Sequence, residues 1–338
     1  MIFELWKKVK RNEISSMYLL FGKESFLINE TKQLLIQQIL KEDEIEFNLS
    51  SFDLNETPVE MALEDAETFP FIGERKLLFL HNASFLTAEK TKDKVEHNLA
   101  RLEAYIKEPA PYSVVVLVAP YEKLDERKKL TKELKKNTDT FEAKKLTEQE
   151  LKNWIRTRAD YNGVTIEPAA IEQMLTLVGT NLFMLTSEVD KLALYIGKGL
   201  TIDVKTVESL VSRSLEQNIF TLVDKIVTRK IEEALRIYYD LLKLNEEPIK
   251  ILAVITGQFR LLYQVKELAK RGYGQKQIAS HLKIHPFRVK LAAGQAQKFG
   301  DKELTYIIKQ LADADYNMKT GAMNKELIIE LFLLKLNQ

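Results

Sequence analysis

The turn "LFGKES", residues 20–25, is where the sequence comes nearest to phosphate chemistry. It follows the apolar run "MYLLF" and precedes a helical pattern. A nucleotide-binding α/β unit carries G-x-x-x-x-G-K-[ST] at that place: backbone amides cradle phosphate, and the Lys and Ser/Thr meet phosphate and magnesium. Here only Gly22 precedes Lys23, and Glu24 stands in the Ser/Thr position, where a carboxylate repels phosphate. The strand ends that should supply a magnesium-holding aspartate run into His81-Asn82 and Ala119-Pro120 instead. Intrinsic ATP hydrolysis is therefore not expected, and no cofactor is. Of the histidines His81, His97, His281 and His285, the last two have i, i+4 spacing. "HLKIH" lacks the glutamate of H-E-x-x-H, and Pro286 stops a helix from continuing through His285. All four are expected at the surface or the core edge. With no G-x-S-x-G elbow and no unusual carboxylate spacing, the sequence offers no catalytic and no metal-binding residue.

The elements around that turn alternate between two periodicities. "MYLLFG" reads as a buried strand and "SFLINETKQLLIQQIL" as a helix with Phe26, Leu27, Leu34, Leu35 and Ile39 on one stripe. "EFNLSSFDL" alternates like a strand, Thr57-Pro58 opens a short helix through Met61 and Leu63, and "KLLFL" is again a strand. A helix is expected over "TKDKVEHNLARLEAYIKE", then "SVVVLV", whose continuous β-branched run suits a strand covered on both faces. "DERKKLTKELKK" and "TFEAKKL" follow as helix and final strand. This rhythm implies an α/β domain with a mostly parallel sheet.

Beyond residue 146 the strand signal disappears. "TEQELKNWIRTRADYNG" opens with a capping box, Thr147 and Glu150, and ends at Gly163. "EPAAIEQMLTLVG" and "NLFMLTSEVDKLALYIG" also end at glycine, which makes a small helical unit, and a larger helical region runs from there to "ELIIELFLLKL". The expected organisation is an α/β domain over 1–142, a small helical domain over 143–212 and a larger helical domain over 213–338.

Composition agrees with a multi-domain globular chain. Its 338 residues exceed one ordinary core, and 45% hydrophobic with 29% charged residues leaves no sign of disorder. With no cysteine, disulfides and thiolate chemistry are excluded, which suits a reducing cytoplasm. The opening residues do not read as a signal peptide, and no run is long and apolar enough for a membrane span. A net charge of +1 argues against a strongly basic nucleic-acid binder.

Two stretches point to binding. In "DAETFPFIGERKLLFLHN", Phe69, Phe71 and Ile72 surround Pro70 in a connecting segment before a Gly-Glu-Arg-Lys turn, an unusual place for large hydrophobes. "KQIASHLKIHPFRVKLAAGQAQKF" has the outline of a helix-turn-helix, with Arg288 and Lys290 early in the second helix. That helix continues "LAAGQAQ", small and apolar, which suits packing better than a DNA groove. A sequence-specific helix-turn-helix DNA binder is the alternative function.

The words "YLLFGKESFLI", "FIGERKLL", "NLFMLTSEVDKLALY", "IFTLVDKI", "EPIKILAVITGQFRLL", "IHPFRVKLA", "DADYNMKTG" and "ELIIELFLLKL" occur in order along the chain. Together they resemble the delta subunits of bacterial DNA polymerase III clamp loaders. The resemblance implies an AAA+-like α/β domain with a degenerate nucleotide site, a small helical domain and a C-terminal helical collar domain. It also implies a non-catalytic subunit that binds the DNA sliding clamp and holds one interface of the ring open during replication. By that likeness two adjacent hydrophobes at the tip of a short helix enter the clamp. They fall on Phe71 and Ile72, with Phe69 and Pro70 upstream as further clamp-binding candidates whose bulk bears on which side chains enter; for Phe69 the core is favoured over the wedge. The implied partners are the clamp, the ATPase and delta-prime subunits, and primed DNA contacted non-specifically at its phosphates, with no membrane. The implied location is the bacterial cytoplasm.

Overall fold

Val114 to Val118, the β-branched run, lies at the centre of a five-stranded parallel sheet, which is why it needs no polar face. The computed structural model describes residues 2–89 and 95–336, in two compact units, 1–145 and 146–338. The first unit contains α1 (Ile2–Lys10), β1 (Met17–Phe21), α2 (Ser25–Ile39), α3 (Ile45–Asn48), β2 (Leu49–Asp53), α4 (Val59–Ala66) and β3 (Lys76–His81). A 3₁₀ turn at Ser84–Leu86 leads to α5 (Leu99–Lys107), β4 (Ser113–Ala119), α6 (Lys129–Asn137) and β5 (Asp139–Glu142). The strand order is β2-β3-β4-β1-β5, with Leu19 beside Leu117 and Leu78 beside Val115. One face of the sheet, through Leu19, Leu78, Leu80, Val115 and Leu117, is buried by Leu63 of α4, Leu102 and Ile106 of α5 and Leu134 of α6. Helix α2 lies across the other face, where the Lys32 ammonium sits 4.9 Å from the centre of the Phe79 ring.

Several boundaries depart from the pattern-based reading. Residues 46–48 are not strand but the end of α3, and β2 begins only at Leu49. Alternation across three residues carried too little information, and the Phe47 and Asn48 amides bond back to the Glu44 carbonyl instead. Helix α6 starts at Lys129 because Asp125 accepts bonds from the Arg127 amide and guanidinium, fixing a local turn. The helix expected over 91–108 begins at Leu99, where Asn98 caps it by accepting from the Arg101 amide at 3.1 Å. Its residues 91–94 lie outside the described residues.

The second unit contains α7 (Glu148–Tyr161), β6 (Thr165–Ile166), α8 (Pro168–Val178), α9 (Leu182–Ile196), β7 (Thr201–Ile202) and α10 (Val204–Leu210). It continues with α11 (Leu215–Val227), α12 (Ile231–Lys243), α13 (Pro248–Lys270), α14 (Gln275–Leu282), α15 (Pro286–Ala296), α16 (Asp301–Thr320) and α17 (Lys325–Lys335). The Thr147/Glu150 capping box forms as expected. Strand structure does not vanish after 146: β6 and β7 pair in parallel, but two residues each are too few to show a period. Helices α7 and α9 are joined by Arg158 and Asp190 through paired 2.7 Å bonds and by Trp154 Nε1 to Thr186 Oγ1 at 2.9 Å. A continuous cluster including Ile255, Phe259, Leu262, Val289, Ile307, Leu311 and Phe332 joins α11 to α17.

Candidate partner-binding site

The turn after β1 has the place but not the chemistry of a phosphate loop. Gly22 takes φ +121°, donates its amide to Ala119 O at 3.2 Å, and lies tight against the Ala143 backbone. The Glu24 amide donates to Ala143 O at 3.0 Å and the Ser25 amide to Lys23 O at 3.1 Å. Three amides that could have cradled an anion are therefore engaged within the protein. Burial pushes the Glu24 carboxyl above its ordinary range, with the Lys145 ammonium opposing, and Lys23 faces Glu89 at 3.9 Å. The histidines have other work. His97 Nδ1 accepts the Val59 amide at 3.2 Å, and burial pushes the pKa of half-buried His81 down, helped by nearby Lys32. His281 is exposed, whereas His285, expected near the surface, is buried. It caps α15 by accepting the Phe287 amide at 3.1 Å, while its Nε2 bonds to Leu146 O. Among the described residues no cluster of three or more His, Asp or Glu side chains could hold a metal.

The hydrophobes of residues 69–72 are presented on a braced loop. The carbonyls at the end of helix α4 are bonded by side chains at and just before the starts of β3 and β4. Lys76 Nζ donates to Asp65 O at 2.8 Å, Ser113 Oγ to Ala66 O at 2.6 Å, and Tyr112 Oη to Glu67 O at 2.7 Å. Lys76 is buried, and its ammonium also meets Asp65 Oδ1 at 2.5 Å and Thr68 Oγ1 at 2.7 Å, which completes its three donors. Farther along, buried Asn48 receives the Phe71 amide at 3.0 Å on Oδ1 and donates Nδ2 to Ile72 O at 2.5 Å. Gly73 then turns the chain at φ +71° into β3.

That bracing leaves Phe71 77% exposed, its ring stacked on Phe47 with centroids 5.3 Å apart. Ile72 and Pro70 are half-buried. Phe69, expected in the core, is instead 78% exposed and lies on the Tyr112 ring at 4.5 Å. Nearby, the α4 terminus is bonded to buried Lys76 and Ser113, polar side chains that occupy that end of β3 and β4. The hydrophobes also do not sit at a helix tip, because α4 ends at Ala66 and residues 69–72 are irregular.

Replacing Lys76 by Met is expected to destabilise the α/β unit by about 2–3 kcal/mol. This is toward the low end of the cost of breaking a buried pair, because the Asp65 side chain keeps 29% exposure even though its Oδ2 is buried. A fall in the urea midpoint, with faster amide exchange over residues 67–75, checks it.

Comparison with known proteins bears on what such a surface is for. A family model described as DNA polymerase III, delta subunit, matches residues 18–144, and one described as DNA polymerase III delta subunit, C-terminal domain, matches residues 216–336. DNA polymerase III subunit delta of Bacillus subtilis (strain 168) is 53% identical over 336 residues, covering 99% of this chain and 97% of that one. The chain belongs to the DNA polymerase III delta subunit family. A solved structure described as the Bacillus subtilis DNA clamp loader delta protein matches at 53% identity with a TM-score of 0.85, covering 100% of this chain and 99% of the other. A probable DNA polymerase III subunit delta from Aquifex aeolicus (strain VF5) is 26% identical over 259 residues, covering 76% of this chain and 72% of that one.

Membership in the delta family accounts for the architecture of a parallel α/β unit followed by helices. It also implies a complex with other clamp-loader subunits. The helix-turn-helix alternative gains no support in this delta subunit. Helices α14 and α15 have the outline, but α15 commits Val289, Ala292 and Ala296 to the core, and its Gln295 bonds to buried Gln258 and to Phe220 O. Arg288 and Lys290 are exposed, and Lys290 faces Glu148 at 3.7 Å. Among the described residues no helix is long and apolar enough to cross a membrane.

Proposed function

We propose that this chain binds the DNA sliding clamp through a hydrophobic wedge of Phe71 and Ile72, flanked by Phe69 and Pro70, and holds the ring open for loading onto primed DNA. The observation carrying this is a large aromatic side chain held out into solvent by a backbone pinned at Asn48 on one side and Lys76 on the other. A loop built only to connect two elements needs neither the ring nor the pins. Binding alone does not open a ring; the chain must favour the open edge over the closed one. Helix α4, which leads into the wedge loop and exposes Met61, meets the clamp interface and disfavours its closed shape.

In this reading the chain neither binds nor hydrolyses ATP, because the turn at residues 22–25 engages the Gly22, Glu24 and Ser25 amides and carries Glu24 where a phosphate loop has Ser or Thr. Nucleotide dependence then enters through the ATPase subunits, with delta-prime completing the assembly, whose state exposes or hides the wedge by linkage. Residues 1–142 act as the clamp-binding domain, 143–212 as a small helical domain and 213–338 as the collar, in the bacterial cytoplasm. Any contact with primed DNA is to phosphates and weakens with salt.

The test is binding of the purified chain to the sliding clamp of its own organism, with and without magnesium-ATP. Equal, tight binding in both conditions is expected. No binding in either condition would sink the functional reading, and nucleotide-dependent binding would sink its account of the turn.

A further inference from the structure

Phe47 is an aromatic side chain that lies outside the α/β core cluster around Leu63, Leu80 and Leu117. It sits on α3, is 52% exposed, and stacks on Phe71 with the ring planes 24° apart. It is not an isolated surface hydrophobe, because with Phe71 it forms one contiguous exposed aromatic pair. Its sequence neighbour is Asn48, the residue that holds the Phe71 amide and the Ile72 carbonyl. The two segments also touch at Gly73, where an added Cβ would fall 2.4 Å from Glu44 Oε1. Residues 44–48 and 71–73 thus form one body, and the two backbone segments that carry the rings cannot part without breaking the bonds of a fully buried amide.

We infer that Phe47 is a second anchor of the same interface, so that the clamp receives a pre-stacked pair of rings, Phe47 on Phe71, instead of a single side chain. The inference rests on the reading that Phe71 enters the clamp. The partner chemistry follows from the shape: an apolar, flexible pocket, lined by aliphatic or methionine side chains and wide enough for two rings in offset contact, with no charge at its floor. Stacking in the free protein fixes the Phe71 rotamer before the partner arrives, so Phe47 contributes both contact area and orientation.

The experiment is a titration of labelled sliding clamp from the same organism with wild type, Phe47→Ala, Phe71→Ala, the double variant and Phe47→Tyr, alongside thermal unfolding of each. Phe47→Ala is expected to weaken binding at least about tenfold, as truncation of an interface anchor does. The double variant should lose less than the product of the two single losses, because each ring supports the other. Phe47→Tyr, which keeps the stack, should bind within about threefold of wild type. If Phe71→Ala loses affinity while Phe47→Ala binds like wild type, the second anchor is wrong and the clamp reading stands. If neither change matters while wild type binds, the second anchor is wrong and the wedge does not lie at Phe71. Should Phe47→Ala unfold early, Phe47→Leu decides: intact stability with lost affinity supports the inference, and intact stability with intact affinity overturns it.

Discussion

Replacing Phe71 and Ile72 together by alanine is expected to weaken binding to the sliding clamp by about 3 kcal/mol or more, a loss on the order of a hundredfold or greater. Burying a large apolar side chain contributes roughly 1.5–3 kcal/mol, and every 1.4 kcal/mol is about tenfold in affinity. Phe71 should carry most of the effect, because apart from its stack on Phe47 it is exposed in the free protein, whereas Ile72 is already half-buried. Neither residue belongs to the core of the α/β unit, so the thermal midpoint of the double variant should stay at the wild-type value. Isothermal titration against the clamp, paired with calorimetric unfolding, separates the two quantities. Unchanged affinity would move the wedge elsewhere, most directly to Phe69.

The second large effect concerns stability. A Cβ on Gly22 would stand 2.2 Å from Ala143 O and 2.7 Å from its carbonyl carbon, both backbone atoms that cannot rotate away, at a φ of +121° that other residues rarely adopt. Gly22→Ala should cost about 3 kcal/mol or more, combining backbone strain with the clash. For a unit of this size that lowers the melting midpoint by about 6–12 °C. Gly199→Ala is the control: its φ is +81° but nothing lies within 4 Å, so only the strain remains, about 1 kcal/mol. Equal costs for the two substitutions would show that the approach of Ala143 is not what requires glycine at position 22.

The strands of the α/β unit were legible because their burial is written into composition: Val114 to Val118 and Leu77 to Leu80 are continuous apolar runs, as a sheet covered on both sides requires. The failed phosphate motif was equally legible, since a missing glycine and a misplaced carboxylate are local facts. The support of the wedge was not. Lys76 reads as a surface lysine of a charged turn, yet its partners lie eight and eleven residues earlier, on a helix terminus brought to it by the fold. Asn48 sat inside an apparent strand, and nothing in its neighbours announces bonds to residues more than twenty positions away. Phe69 was placed in the core on hydrophobicity alone; the polar side chains of Lys76 and Ser113 occupy that end of β3 and β4 instead. Pairings between distant segments leave no period in a sequence, so Phe47 also passed as an ordinary strand residue.

The side chains that complete the end of α4 also have a kinetic meaning. A free loop of this kind would have to be ordered as it docks, and fixing the backbone of each residue costs roughly 1–2 kcal/mol. Here Lys76, Ser113, Tyr112 and Asn48 have already fixed it in the unbound chain. Encounter should therefore proceed without a slow rearrangement of this arm, within the ordinary docking range of about 10⁵–10⁷ M⁻¹s⁻¹. Substitutions in the wedge would then register almost entirely in how long the complex lasts, while the rate at which it forms stays nearly constant.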